Sequence, residues 1–190
     1  MTDELLAERT RQGNGTAFAA LVDRHGDAVY RIAANLCPTA AEAEQAVHQT
    51  FLSAWRDASY RPRNASFRAW LYRIAVKEAA GRQEGFSRHG IPTEVFLPRF
   101  GADGDLEPSA GEWPDPGSPR LEEIELAGLL RRALDGMDES ARVAFVLCDL
   151  AQLPAGEAAP ILDASPETLR RRVHRARLML RGFLDRLWGV

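Results

Sequence analysis

Residues 154–181 read Pro154-Ala155-Gly156-Glu157-Ala158-Ala159-Pro160-Ile161-Leu162-Asp163-Ala164-Ser165-Pro166-Glu167-Thr168-Leu169-Arg170-Arg171-Arg172-Val173-His174-Arg175-Ala176-Arg177-Leu178-Met179-Leu180-Arg181. Pro154 is a favourable first helical residue, because the amide it lacks would have no intrahelical partner there. A short segment then ends near Leu162, Asp163-Ala164 makes a turn, and Ser165-Pro166 supplies the cap and first residue of a long final helix. Two helices joined by a turn of three or four residues form the helix-turn-helix pattern. Pro160 falls late in the first of them. There it removes one amide donor and crowds the carbonyl four residues back, so a bend is expected.

Counted at 100° per residue, Leu169, Val173, Ala176, Leu180, Phe183, Leu184 and Leu187 share one side of the final helix, which is its expected buried face. Arg170, Arg171, Arg172, His174, Arg175, Arg177 and Arg181 lie outside that face, so guanidinium groups line the exposed surface. The geometry suits the major groove of DNA. The first turns of a recognition helix face base edges while flanking basic groups hold phosphates.

Charge along the chain isolates this element. The 190 residues carry 24 Lys and Arg against 27 Asp and Glu, a net charge of −3. Residues 1–83 carry +2, 84–125 carry −7, 126–164 carry −3 and 165–190 carry +5. A basic end on an acidic molecule is the footprint of a local phosphate contact, not of a generally sticky protein.

Upstream of Pro154, Leu121, Ile124, Leu129, Leu130, Ala133 and Leu134 predict a helix closed by Gly136. Asp138 caps another through Val143, Val146, Leu147 and Leu150. The first 83 residues carry three more stripes at helical spacing after a short lead helix. Phe18, Leu21, Val22, His25, Val29, Ile32, Ala33 and Leu36 form the first, ended by Pro38. Ala43, Val47, Thr50, Phe51, Ala54 and Trp55 form the second. Phe67, Trp70, Leu71, Ile74 and Ala75 form the third, capped by Asn64 or Ser66. Trp55 and Trp70 read as core. Between the two helical parts, residues 84–120 are acidic, rich in Gly and Pro and without periodicity, which predicts a linker. The chain therefore reads as all-α: a helical domain over 1–83, an irregular acidic Pro/Gly-rich linker over 84–120, and a helix-turn-helix domain over 121–190.

Several classes are excluded. No run approaches the roughly 18 apolar residues of a membrane helix, and the acidic Met1-Thr2-Asp3-Glu4 start lacks the positive charge of a secretory signal. No membrane insertion and a cytoplasmic location are expected. Cys37 and Cys148, far apart, read as small buried hydrophobes. His25, His48, His89 and His174 show no metal-ligand spacing, Glu44 and His48 at i and i+4 being the nearest approach, and no nucleophile motif occurs. No enzyme activity, catalytic residue, metal or cofactor is expected.

The residues also carry a resemblance. Leu147-Cys148-Asp149-Leu150, Glu157-Ala158-Ala159 and the run from Thr168 to Arg177 resemble region four of extracytoplasmic-function (ECF) sigma factors, in the sigma-70 family. Phe18 to Leu21, Val29-Tyr30-Arg31, Ala43-Glu44 through Thr50-Phe51-Leu52-Ser53-Ala54-Trp55-Arg56, and Phe67 to Ala75 resemble region two. Nearly all of the chain outside the linker is covered, with both patterns in order.

The resemblance implies a sigma factor that binds core RNA polymerase and directs promoter-specific initiation at −35 and −10 elements. Region two would grip the clamp helices of the β′ subunit and melt the −10 element; region four would meet the β flap and read the −35 element. An anti-sigma factor is a further partner of the class. Carried over by position, Thr168, Arg170, Arg171, His174 and Arg175 match −35 reading positions, with Arg172 serving phosphate or packing. Tyr60, Arg61, Arg63, Asn64, Arg73 and Lys77 match the −10 surface, and Glu42, Glu44, Gln45, His48, Gln49 and Leu52 the polymerase-binding helix. The sequence departs from the family at Gln45 and Gln49, where acids are usual, and at Lys77, Gly81 and Arg82-Gln83-Glu84, which weakens the −10 half. A degenerate sigma-like protein, or a helix-turn-helix DNA-binding regulator that does not act as a polymerase subunit, is the alternative. Co-elution with core polymerase separates the two.

Overall fold

The computed structural model describes residues 1–57, 66–80 and 123–188, and every regular element among them is helical. The described residues form two compact units. One gathers those of Met1–Ser87 with Val143–Arg170; the other gathers those of Arg88–Arg142 with Arg171–Val190.

In the first unit, each helix begins where a short polar side chain satisfies an otherwise orphaned amide. Thr2 caps α1 (Asp3–Arg11), accepting from the Leu5 amide, and Asn14 caps α2 (Gly15–Leu36), accepting from Ala17 at 2.9 Å. Gly13 turns the chain between them with φ +85°, a conformation costly to any residue with a Cβ. Thr39 and Glu42 form a reciprocal capping box at the start of α3 (Ala40–Arg56). Ser66 caps α4 (Phe67–Ala80) through the Ala69 amide at 3.2 Å, one of the two caps the sequence allowed.

The core of this unit is Leu21, Val29, Ile32 and Leu36 of α2 against Phe67, Leu71, Tyr72 and Ala75 of α4. Helix α3 contributes only small buried residues, Ala43, Ala46, Thr50 and Ala54. The Thr50 hydroxyl is neutralised locally by donating to the Ala46 carbonyl at 2.7 Å. His25 is the buried polar side chain of α2. Its Nε2 lies 2.8 Å from Asp3, which also meets Arg24, and its ring packs against Phe67 and Tyr72. Asp3 thereby ties α1 to α2.

Trp55 departs from the core expectation, being 44% exposed. The spacing from Thr50 and Ala54 carries Trp55 round α3 towards its outward face, where its ring meets the edge of Phe18 at 5.0 Å. Trp55 and a half-buried Trp70 wall an open groove with Phe18, Phe67 and Arg11.

The first unit also contains a π-helical turn, Val146–Leu150, continuing from α6 (Glu139–Phe145), then α7 (Ala155–Ala158) and a 3₁₀ turn, Ala159–Leu162. Helix α7 starts one residue after the expected Pro154. Pro160 produces the expected interruption, as the switch from α to 3₁₀ at Ala159. Gln152 and Asp163 bracket this segment in the left-handed region, with φ 53° and 47°. Asp163 tolerates that conformation better than most residues.

In the second unit, α5 (Glu123–Asp135) ends as the Gly136 and Met137 amides return to the carbonyls of Ala133 and Leu134. Asp138 then caps α6 through the Ala141 amide at 2.9 Å. Arg142 is buried, with its guanidinium 3.7 Å from Asp135. Most of α8 (Pro166–Trp188) belongs to this unit.

Candidate nucleic-acid interface

Helix α8 is started by Ser165, whose hydroxyl oxygen accepts the Thr168 amide at 3.1 Å and lies 2.9 Å from the Thr168 hydroxyl. From Arg170, the ideal helix places His174 at about 40°, Arg171 at about 100° and Arg175 at about 140°, so all four share one side. All four are exposed, while Leu169, Val173 and Ala176 on the other side are buried. Thr168 and Arg172 are half-buried at the edge between the two faces. The buried face differs from the expected one further along: Met179 is buried, and Leu180, Phe183 and Leu184 are half-exposed. Leu180 and Leu184 instead lie along a shallow surface with Arg177 and Arg181.

An acid stands behind the arginines. Burial pushes the Asp138 carboxyl up, but the Ala141 amide, the Ser140 hydroxyl and the Arg175 guanidinium outweigh it and hold the group below the usual carboxylate range. Asp138 is legible in sequence as a cap. Its electrostatic tie to Arg175, across 37 positions, has no sequence signal.

On α4, Arg73 and Lys77 are both exposed and one turn apart, so the expected pair does share a face. Arg73 donates to the Pro160 carbonyl. Tyr60, Arg61, Arg63 and Asn64 lie outside the described residues. Beneath this surface Tyr72 is buried, and burial pushes its phenol up against the opposing pull of Arg68 and Arg31.

On α3, Glu44, Gln45 and His48 are exposed and Leu52 half-exposed, within an arc of about 100° opposite Ala43, Ala46, Thr50 and Ala54. Gln49 and Glu42 border that arc, and Glu42 is engaged in the capping box. Among the described residues no group of three or more His, Cys, Asp or Glu is placed to hold a metal ion, and no helix is long and apolar enough to cross a membrane.

Sequence reasoning missed one cluster altogether. Glu157 of α7 accepts from the Ser66 hydroxyl and lies 3.4 Å from Arg68, beside the Arg73–Pro160 bond. These contacts join residues about 90 positions apart, and nothing in the sequence pairs them.

Comparison with known proteins places the chain in a family. The family description "Sigma-70 region 2" matches residues 21–81, and "Sigma-70, region 4" matches residues 127–180. The chain is 32% identical to RNA polymerase sigma factor CnrH of Cupriavidus metallidurans, over 96% of this chain and 94% of CnrH. It is 30% identical to the ECF RNA polymerase sigma-E factor of Salmonella typhimurium, over 93% of this chain and 91% of that one. The fold is similar to that of CnrH in complex with the cytosolic domain of CnrY, with a TM-score of 0.70 at 24% identity, covering 98% and 99% of the two chains. It is also similar to sigma factor RpoE in complex with the anti-sigma factor NepR from Bartonella quintana, with a TM-score of 0.63 at 22% identity, covering 88% and 96%.

Proposed function

The chain belongs to the sigma-70 family of RNA polymerase sigma factors, in its ECF group, and from that premise we propose how its surfaces divide the work of transcription initiation. As a sigma factor it directs initiation. The chain supplies binding surfaces and no covalent chemistry, and it works in the cytoplasm. We divide it at 1–83, 84–120 and 121–190, a division supported by the two matched stretches.

The outward arc of α3, with Glu44, Gln45, His48 and Leu52 at its centre, is the grip on the β′ clamp helices of core RNA polymerase. The surface leading into α4, with Arg73 and Lys77, handles the −10 element, and region four meets the β flap. Helix α8 reads the −35 element through Arg170, Arg171, His174 and Arg175, while Thr168 and Arg172 steady it on phosphates. An anti-sigma factor is a further partner, as it is for the related fold of RpoE.

The observation that carries this reading is the second and third turns of α8. Four basic or polar side chains share one exposed side there, directly after a capped helix-turn-helix turn. The test is reconstitution. The purified chain should co-elute with core polymerase and support run-off transcription from promoters that core polymerase alone ignores. Failure to co-elute would favour the free helix-turn-helix regulator.

A further inference from the structure

We propose that the acidic segment 103–115 of this chain docks on the second half of α8, on the strip formed by Arg177, Leu180, Arg181 and Leu184, and competes there with DNA phosphates. The competition rests on the preceding assignment of α8 to DNA; the docking does not.

The strip asks for an occupant of mixed chemistry. The period of α8 puts Leu180 and Leu184 on the side of Val173 and Ala176, yet the two leucines are half-exposed where the other two are buried. With Arg177 and Arg181 they line one shallow concavity. Leu180 and Leu184 stand one turn apart, about 6 Å along the axis, and Arg177 and Arg181 repeat that step about 60° round the helix. An apolar row therefore runs beside a cationic row. Asp185 meets the Nε of Arg181 at 3.7 Å, which leaves the outer nitrogens of that fork to another anion. A phosphate backbone satisfies the arginines but leaves the leucines wet. An acidic segment with an apolar anchor satisfies both rows.

The chain carries such a segment close by. Between Ala102 and Pro119 stand five acids, Asp103, Asp105, Glu107, Glu112 and Asp115, and no Lys or Arg. Leu106 and Trp113 are set among them, Trp113 directly after Glu112 and two residues before Asp115. Asp115 precedes α5 by eight positions, and α5 belongs to the same unit as most of α8. Eight extended residues reach about 28 Å, the span of a small domain. Such a tether gives an effective concentration in the mM range, at which weak contacts suffice. Arg177 and Arg181 lie beyond the base-reading side chains, on the part of α8 suited to phosphates. A carboxylate seated there takes the place of a phosphate and leaves Arg170, Arg171, His174 and Arg175 uncovered. The docked segment thus lowers affinity for DNA of any sequence without altering which sequence is preferred.

The test uses the full chain and a zero-length cross-linker. In an Arg181→Lys variant, a water-soluble carbodiimide activates a carboxyl, the introduced amine displaces the urea, and an amide forms. On the monomeric chain, peptide mass spectrometry should find bridges from position 181 to Glu112 or Asp115, beside a local bridge to Asp185 that reports the reagent's action. Trp113→Ala, and separately Leu184→Ala, should lower the long bridge about fivefold relative to the local one, since each removes one side of the apolar anchor. A local bridge without the long one overturns the docking. So does a long bridge that Trp113→Ala leaves undiminished, or one found only between two chains, which gives the strip to a second copy. Fluorescence anisotropy with a random-sequence duplex then reads the competition. Trp113→Ala, which changes no charge, should bind that duplex about three- to tenfold more tightly than the wild type, as expected when the uncovered strip is the minor state. Equal affinity overturns the competition. A chain that ignores duplex DNA, wild type and variant alike, overturns the assignment of α8 to DNA and the competition with it, while the bridge still decides the docking.

Discussion

Replacing Arg170, Arg171 or Arg175 singly by Ala should change which −35 sequence is preferred, whereas Arg181→Ala should not. The difference follows from helix rise. At 1.5 Å per residue, Arg170 and Arg175 lie about 7.5 Å apart along α8, inside a major groove about 12 Å wide, while Arg181 lies about 16 Å beyond Arg170. A bidentate guanidinium contact to guanine is worth about 1–3 kcal/mol of discrimination, so each leading-turn variant should lose roughly 5- to 150-fold preference at one base pair. Arg181→Ala should lower affinity across all sequences and flatten its salt dependence. Arg171→Lys keeps the charge without the fork and should retain affinity better than preference. The assay is transcription by reconstituted polymerase from a library with randomised −35 positions, followed by sequencing of the transcribed templates. If every variant selects the same sequence as the wild type, α8 is not the reading element and its arginines form a solvated face.

Glu44→Lys, at the centre of the outward arc of α3, should weaken the complex with core polymerase several-fold to about tenfold at low salt, measured by titration of a labelled chain. Asp138→Ala removes the α6 cap and should cost about 1 kcal/mol in urea unfolding, while Asp138→Asn keeps an acceptor and should cost less. Because the Asp138 carboxyl is held below its ordinary range in the fold, its contribution is present above about pH 4 and disappears as pH falls through the lowered folded-state value; Asp138→Ala should lack that component. Tyr72 is shifted the other way. Its contribution is complete below about pH 10 and is lost as pH rises through the raised folded-state value, so tyrosinate absorbance should show one late phenol that Tyr72→Phe removes.

The sequence announced local structure well because local chemistry decides it. Ser66, Asp138 and Ser165 were legible as caps, since a short polar side chain before an apolar stripe has one efficient use. The Thr39–Glu42 capping box follows the same local logic, a Thr followed three residues later by a Glu. The stripes depart from the structure at Trp55 and beyond Ala176, where a residue at the edge of the apolar arc is turned to either side by a few tens of degrees. The basic face of α8 needed only composition and period. What was hidden was pairing at long range: Glu157 with Ser66 and Arg68, Arg73 with Pro160, and Asp138 with Arg175. Each of these residues has a reading within its own segment, and none of those readings points to its partner.

Pro160 shows how a local departure acquires a distant consequence. In sequence it is a defect, a missing amide inside a helix. In the structure the helix stops at Ala158, the chain tightens into a 3₁₀ turn, and the Pro160 carbonyl meets Arg73 instead of a following amide. Pro160→Ala should therefore change coupling more than stability. Restoring the amide offers about 1 kcal/mol of hydrogen bonding, and freeing the unfolded chain costs about 0.4–1 kcal/mol, so the midpoint of urea unfolding should move little. The continued helix would draw the carbonyl of residue 160 towards the amide of Ala164 and away from Arg73. In an Arg68→Lys variant, a water-soluble carbodiimide can join the new amine to the Glu157 carboxyl as an amide, and this 68–157 bridge, read by peptide mass spectrometry, should form at lower yield once Pro160 is Ala, with unfolding unchanged. A bridge yield equal to that of the parent would mean that Glu157 alone seats the segment and that Pro160 matters only to the turn.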